Sequence, residues 1–311
     1  MTIISNDIKI ICNGLLFPEG PVIQSDGSVI VVEIGAKCVS RIMPDGKKFI
    51  IAETGGGPNG AALGPDGALY VCNNGGASVH KENGLISIRG QGGDYSGGRI
   101  EKIDLETGRV EVLYDSCAGI QLKGPNDIVF DRQGGFYFTD LGKTRARDRD
   151  RGGVYYALPD GSSISEVIFP MHTPNGVGLS ADEKTLYVSE TETARLWAFD
   201  IVAPGKLDLM PFPSPNGGRM LMAATGVYQR FDSLAVQEDG KICVATLENG
   251  GITIVDPTDG SFRHVTVPDR LTTNICFGGV ENRIAWITMS STGCLGQMRW
   301  EEPGLSLNFS A

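Results

Sequence analysis

No stretch of the 311 residues approaches the roughly 18 consecutive apolar side chains of a helical membrane span. The N-terminus, Met1-Thr2-Ile3-Ile4-Ser5-Asn6-Asp7, lacks the basic region, apolar core and small-residue cleavage site of a signal peptide. The seven cysteines are odd in number and scattered, and they form no CxxC pair. Reduced thiols in a cytoplasmic protein are the expectation. Positive charge is thin as well: the formal net charge is -10 and the pI about 4.9. Only the segment from Lys143 to Arg151 gathers basic residues, and it alternates them with aspartates, which reads as a solvated loop in preference to a phosphate or carboxylate contact. Nucleic acid, whose backbone demands concentrated positive charge, is not an expected partner. No GxSxG elbow is present, so Ser-His-Asp catalysis has no anchor. No window longer than about ten residues keeps a 3.6-residue apolar period, so no substantial helix is expected.

What the chain does have is 41% hydrophobic residues, enough for a core, and 43 glycines that suit a high density of turns. One unit recurs, a polar residue heading a short alternating strand. It reads Glu19-Gly20-Pro21-Val22-Ile23, Asn59-Gly60-Ala61-Ala62-Leu63 and Asn126-Asp127-Ile128-Val129. It continues as Asn175-Gly176-Val177-Gly178-Leu179, Asp232-Ser233-Leu234-Ala235-Val236 and Asn274-Ile275-Cys276-Phe277. The leading residues lie about 40 to 67 positions apart, and Asp-Gly hairpin signals recur between them, as at Asp26-Gly27, Asp66-Gly67, Asp160-Gly161 and Asp239-Gly240. This pattern predicts an all-β chain: one six-bladed β-propeller over residues 1–311, with four antiparallel strands per blade. The strand Lys9 to Cys12 is expected to complete the last blade, so that its outer strand is not an open edge. The segment Leu305 to Phe309 competes for that place. The second unit is longer than a typical one by about 20 residues. Its excess, the Gly-rich stretch 75–98, is expected to form a lid.

In a propeller, equivalent positions of the blades ring the central axis. Glu19, Asn59, Asn126, Asn175, Asp232 and Asn274 would then meet at one mouth of the channel, with no Lys or Arg among them. Two carboxylates sharing a buried site repel unless a cation or a proton neutralises them. Asn oxygens add neutral hard donors, and a set of oxygens without His or Cys suits Ca²⁺, with Mg²⁺ or Mn²⁺ behind it and Zn²⁺ less favoured. Asn-Gly and Asp-Gly ahead of a strand are also common turn residues. What favours the ring is that the six units run in phase. Asn73 and Asn74, ending Tyr70-Val71-Cys72, read either as substrate contacts or as a turn. His172, just ahead of Pro174-Asn175, reads either as a residue lining the mouth or as structural. Trp197, Trp286 and Trp300 fit packing between blades.

Phe17-Pro18-Glu19-Gly20-Pro21, Gly124-Pro125-Asn126-Asp127, Thr173-Pro174-Asn175-Gly176 and Phe231-Asp232-Ser233-Leu234-Ala235-Val236 resemble signature segments of the gluconolactonase / senescence-marker protein (regucalcin) / luciferin-regenerating enzyme family. The resemblance spans roughly residues 15 to 300. It implies a metal-dependent hydrolase that opens a lactone. It also implies one divalent ion, usually calcium, held by Glu19, Asn175 and Asp232, with Asn126 binding the metal or lying next to it. Asp232 matches the family's catalytic aspartate and is the candidate general base for water attack. Asn59, Asn73, Asn74, Asn126, Asn274 and His172 are candidate substrate contacts. Where animal members acting on sugar lactones carry an Arg and an acidic pair, this chain has Gly124 and Leu141-Gly142-Lys143, which leaves open a smaller or less polar lactone. A phosphotriesterase of the diisopropyl-fluorophosphatase type uses a similar Glu/Asn/Asn/Asp set and is the alternative enzyme. A non-enzymatic propeller with a structural calcium ion, or one that binds another ligand, is the third reading.

Overall fold

The Asp-Gly dipeptides close hairpins as their chemistry requires. Asp26, Asp66, Asp160 and Asp239 each accept the backbone N–H two residues on through Oδ1, at 2.9–3.2 Å. The glycine that follows takes φ between +76° and +84°, a conformation open to glycine at little cost. The computed structural model describes the backbone of residues 2–4 together with residues 8–223 and 226–310. Six antiparallel sheets follow one another along the chain. The first blade is Pro18–Ile23, Val29–Glu33, Cys38–Ile42 and Lys48–Glu53. The second is Pro58–Leu63, Leu69–Asn73, Arg99–Ile103 and Val110–Tyr114, and the third Pro125–Phe130, Phe136–Asp140, Gly152–Ala157 and Ile164–Met171. In the fourth, Pro174–Leu179, Thr185–Glu190 and Arg195–Ala203 are bordered by two short strands, Lys206–Asp208 and Arg219–Met222, rather than by one continuous fourth strand. The fifth is Arg230–Val236, Ile242–Leu247, Gly251–Val255 and Phe262–Thr266, to which Thr2–Ile4 adds in parallel.

The sixth blade, Thr272–Gly278, Ile284–Met289 and Cys294–Arg299, takes its outer strand from Lys9–Cys12, paired antiparallel with Lys9 opposite Gln297. Closure by the N-terminal strand is therefore what forms, and the competing C-terminal segment does something else. Leu305 N–H donates to Val236 O, and the Asn308 amide donates to Phe130 O, so that tail runs across the inner strands at the far end of the channel. The core lies between blades. Tyr70, Phe130, Phe136 and Phe138 join the second and third, while Trp197, Trp286 and Trp300 each sit in a cluster shared by two neighbouring blades. Among the described residues the helical content is one 3₁₀ turn, Val280–Asn282, and no helix is long and apolar enough to cross a membrane.

Every innermost strand carries a β-bulge at its head, between Glu19 and Val22, Pro58 and Ala61, Pro125 and Ile128, Pro174 and Val177, Phe231 and Leu234, and Thr272 and Asn274. A bulge takes residues out of the ladder and re-aims their side chains. Hydroxyls stitch the freed backbone to the next blade. Thr139 Oγ1 accepts from Asp127 N–H and donates to Asn175 O, and Ser189 Oγ accepts from Gly176 N–H and donates to Asp232 O at 2.6 Å. The inner strands approach so closely that only glycine fits. A Cβ on Gly60 would stand 2.5 Å from Asn126 O, and one on Gly176 would stand 2.7 Å from Leu234 N.

Candidate active site

The heads of five of the six inner strands meet at one mouth, where a cavity of about 730 Å³ is lined by Glu19, Asn59, Asn126, Asn175 and Asp232. Glu19 is 2% exposed. Its Oε2 accepts from Gly20 N–H and from Asn274 Nδ2, both at 3.1 Å. Asn274 does not line the cavity itself. Its Oδ1 accepts from Ile275 N–H at 2.8 Å, and its amide holds Glu19 in place. Asp232 is 7% exposed and accepts Ser233 N–H on Oδ1 at 3.1 Å. Asn175 donates through Nδ2 to Thr191 Oγ1 at 2.9 Å, which fixes the amide and leaves Oδ1 buried without a hydrogen-bond partner among the described residues. Asn126 Oδ1 is orphaned in the same way. Two buried carbonyl oxygens without a donor, beside two carboxylates, are an expensive arrangement unless something electropositive joins them. No cluster of three or more His, Cys, Asp or Glu suited to a metal occurs among the described residues, so a cation here would lean on the carboxamides.

Burial raises the Asp232 carboxyl well above the ordinary carboxylate range, and the Glu19 carboxylate adds to the effect. Glu19 is raised too, by burial first, with the Asn274 amide opposing. Asp127, the second residue of the third unit, is pushed up to about 7 by burial. Its two oxygens accept from Ile128 N–H at 3.0 Å and from Val177 N–H of the next blade at 3.4 Å, so it ties two inner strands together.

The remaining expectations separate. Asn59 lines the cavity, and its side chain makes no hydrogen bond to a described residue. Asn74 lines it as well, with Oδ1 accepting from Gly76 N–H and from Lys143 Nζ. Asn73 does not reach it. Its Oδ1 accepts from Gly57 and Gly75 N–H, and its Nδ2 donates to Gly55 O and Glu101 Oε2, so it serves the turn. His172 is exposed and stands outside the lining. The stretch 75–98 forms a hairpin, Ala77–Glu82 with Leu85–Gln91, held across the mouth by Ile86 N–H to Ser291 O and Gln91 N–H to Thr144 O. Leu85, Ile86 and Ile88 are part of the cavity wall. Lys143, expected in a solvated loop, is 6% exposed and lines the same cavity. Lys143, in the segment expected to be solvated, and Asp127, in the head of the third unit, both belong to this buried neighbourhood. The Asn-Asp pair was visible in the sequence, whereas the burial of Lys143 depends on a hairpin from another blade.

Fold and mouth define a class: a six-bladed propeller whose channel opens on carboxylates and carboxamides contributed blade by blade. The chain belongs to the SMP-30/gluconolactonase/LRE-like family, which it matches over residues 17–291. It is 29% identical over 255 residues to lactonase drp35 of Staphylococcus saprophyticus, covering 81% of this chain and 70% of that protein. It is 26% identical over 225 residues to the gluconolactonase of Zymomonas mobilis, covering 65% of this chain and 57% of that protein. The solved structure of a calcium-binding protein, regucalcin, from Agrobacterium tumefaciens has the same fold, with a TM-score of 0.74 at 17% identity and 99% of each chain covered.

Proposed function

We propose that the protein is a metal-dependent hydrolase that opens a lactone, with its cation held by Glu19, Asn126, Asn175 and Asp232. The observation that carries this reading is the pair of orphaned oxygens, Asn126 Oδ1 and Asn175 Oδ1, in one cavity with two buried carboxylates. Relatives named lactonase and gluconolactonase supply the substrate class. Four hard oxygens carrying two negative charges suit Ca²⁺ best, with Mg²⁺, Mn²⁺ or Zn²⁺ as lesser fits. When bound, such a cation supplies Lewis-acid polarisation of an ester carbonyl.

The chain's own groups divide the remaining work. Glu19 is held by two donors on one oxygen. Asp232 has one backbone donor, on Oδ1, with the Asn175 amide beside the carboxyl. Held ionised beside a bound cation, which would offset the burial and the Glu19 repulsion that raise its carboxyl, Asp232 would serve as the general base, a role worth about 10²- to 10⁴-fold in rate. Asn59 offers its amide to substrate hydroxyls or to the leaving ring oxygen. The hairpin residues Leu85, Ile86 and Ile88 add an apolar wall beside these charges.

The test is hydrolysis of a panel of five- and six-membered lactones, sugar and non-sugar, together with a phosphotriester, before and after chelation and again after calcium is restored. Lactone turnover that chelation abolishes and calcium restores supports the reading. Turnover of the phosphotriester alone favours the alternative hydrolase. If chelation lowers thermal stability while no substrate is ever turned over, the protein is a binding module and the proposal falls.

A further inference from the structure

We infer that the cavity selects lactones bearing an anionic substituent, a carboxylate or a phosphate, and that Lys143 is the specificity residue that receives it. This rests on the lactone-hydrolase reading and narrows its substrate class.

The chain as a whole is acidic, yet the opening of this cavity is not. Lys143, Arg149, Arg230 and Arg270 line it against Glu192 and Glu248, while Arg89 and Glu82 on the hairpin cancel. The arginines are matched: Arg230 pairs with Glu248 at 2.8 Å, Arg270 pairs with the same carboxylate, and Arg149 pairs with Glu192 at 3.6 Å. Lys143 is not. Two of its three donors go to neutral oxygens, Asn74 Oδ1 at 3.0 Å and Gly76 O at 2.9 Å, and no ion pair forms with a described carboxylate. The Tyr95 ring lies 5.3 Å from the ammonium. A lysine this buried is rarely left without a counter-ion, because desolvating the ammonium is costly. Burial depresses it to about 8 against the opposing fields of Asp140 and Asp150, so it is still charged at neutral pH. Its charge is offset only at longer range, by Asp140 and Asp150, and its third N–H therefore awaits an acceptor inside the cavity. The acidic floor cannot recruit an anion, so the reacting ring belongs over the floor and the anionic substituent at the Lys143 wall. The excess of cations at the opening would also steer such substrates inward.

The experiment measures binding apart from turnover. Lactams, which the enzyme cannot readily open, are made in matched sets carrying a hydroxymethyl, a carboxylate or a phosphate, and titrated calorimetrically into calcium-loaded protein. The expected result is that one or both charged lactams bind at least about tenfold tighter than the neutral one, with the two arms telling carboxylate from phosphate. Lys143→Met should bring the preference within about threefold by weakening charged-lactam binding more than neutral-lactam binding, and Lys143→Arg should restore part of it. If Lys143→Met does not fold, Arg149→Gln serves at the rim and should weaken charged-lactam binding in a salt-dependent way. Equal binding of charged and neutral lactams overturns the inference, as does Lys143→Met weakening all of them alike. If neutral lactones are turned over and their lactams bind well, the hydrolase reading survives that failure. If no lactam binds and no lactone turns over, both fall.

Discussion

Asp127→Asn should change the sign of its effect on stability with pH. In the wild-type protein the Asp127 carboxyl is raised from 3.8 to about 7, chiefly by burial. The folded state therefore favours the protonated form, so the stability this gives is fully present below about pH 3.8 and is lost as pH rises through about 7. At about 1.4 kcal/mol per pH unit, forcing ionisation costs a ceiling of about 4 kcal/mol. Asn removes that cost. It keeps an oxygen for Ile128 N–H but turns a donor toward Val177 N–H, losing a hydrogen bond worth about 1 kcal/mol. The ionisation term wins at high pH and the lost bond wins at low pH. Guanidinium unfolding of chelator-treated protein between about pH 3 and pH 8.5 should show the variant about 1 kcal/mol less stable at the acid end. At the alkaline end it should be about 2–3 kcal/mol more stable, with the crossing near pH 4.5. A difference that does not vary with pH would refute the claim that Asp127 is a buried charge lacking compensation.

Three further outcomes follow from the same geometry. Asp232→Asn should lower kcat by about 10²- to 10⁴-fold, and a calcium titration should show weaker but measurable binding, as expected of a residue that is both base and ligand. Asn175→Ala should weaken calcium binding in calorimetry while raising the melting temperature of the chelated protein, because a buried orphan oxygen is removed. Gly176→Ala, whose Cβ would meet Asp232 O at 2.8 Å and Leu234 N at 2.7 Å, should cost at least about 2 kcal/mol in denaturant unfolding, in a steric clash that calcium does not relieve.

The architecture was legible because its devices are local. Asp-Gly turns, alternating strands and polar strand heads each act within a few residues, and the in-phase heads placed Glu19, Asn126, Asn175 and Asp232 together. The N-terminal strand Lys9–Cys12 could be assigned because a propeller with one open blade edge is unfavourable. What escaped notice is non-local or turns on side-chain direction. Asn73 and Asn74 adjoin at a strand end and point apart, one into its own turn and the other into the cavity, and the dipeptide alone does not say which. Lys143 looked solvated beside Arg145 and Asp148, and only its reach to Asn74 and Gly76 in another blade buries it. Asn274 was placed among the substrate contacts, yet its amide is occupied in orienting Glu19.

The central claim is that side-chain oxygens from four blades share one divalent cation. A crystal of the protein grown with calcium, and measured for anomalous scattering, tests it most directly. The account predicts one peak about 2.3–2.6 Å from oxygens of Glu19, Asn126, Asn175 and Asp232. A cavity floor without a peak, or with the Lys143 ammonium folded into it between the carboxylates, would contradict the account.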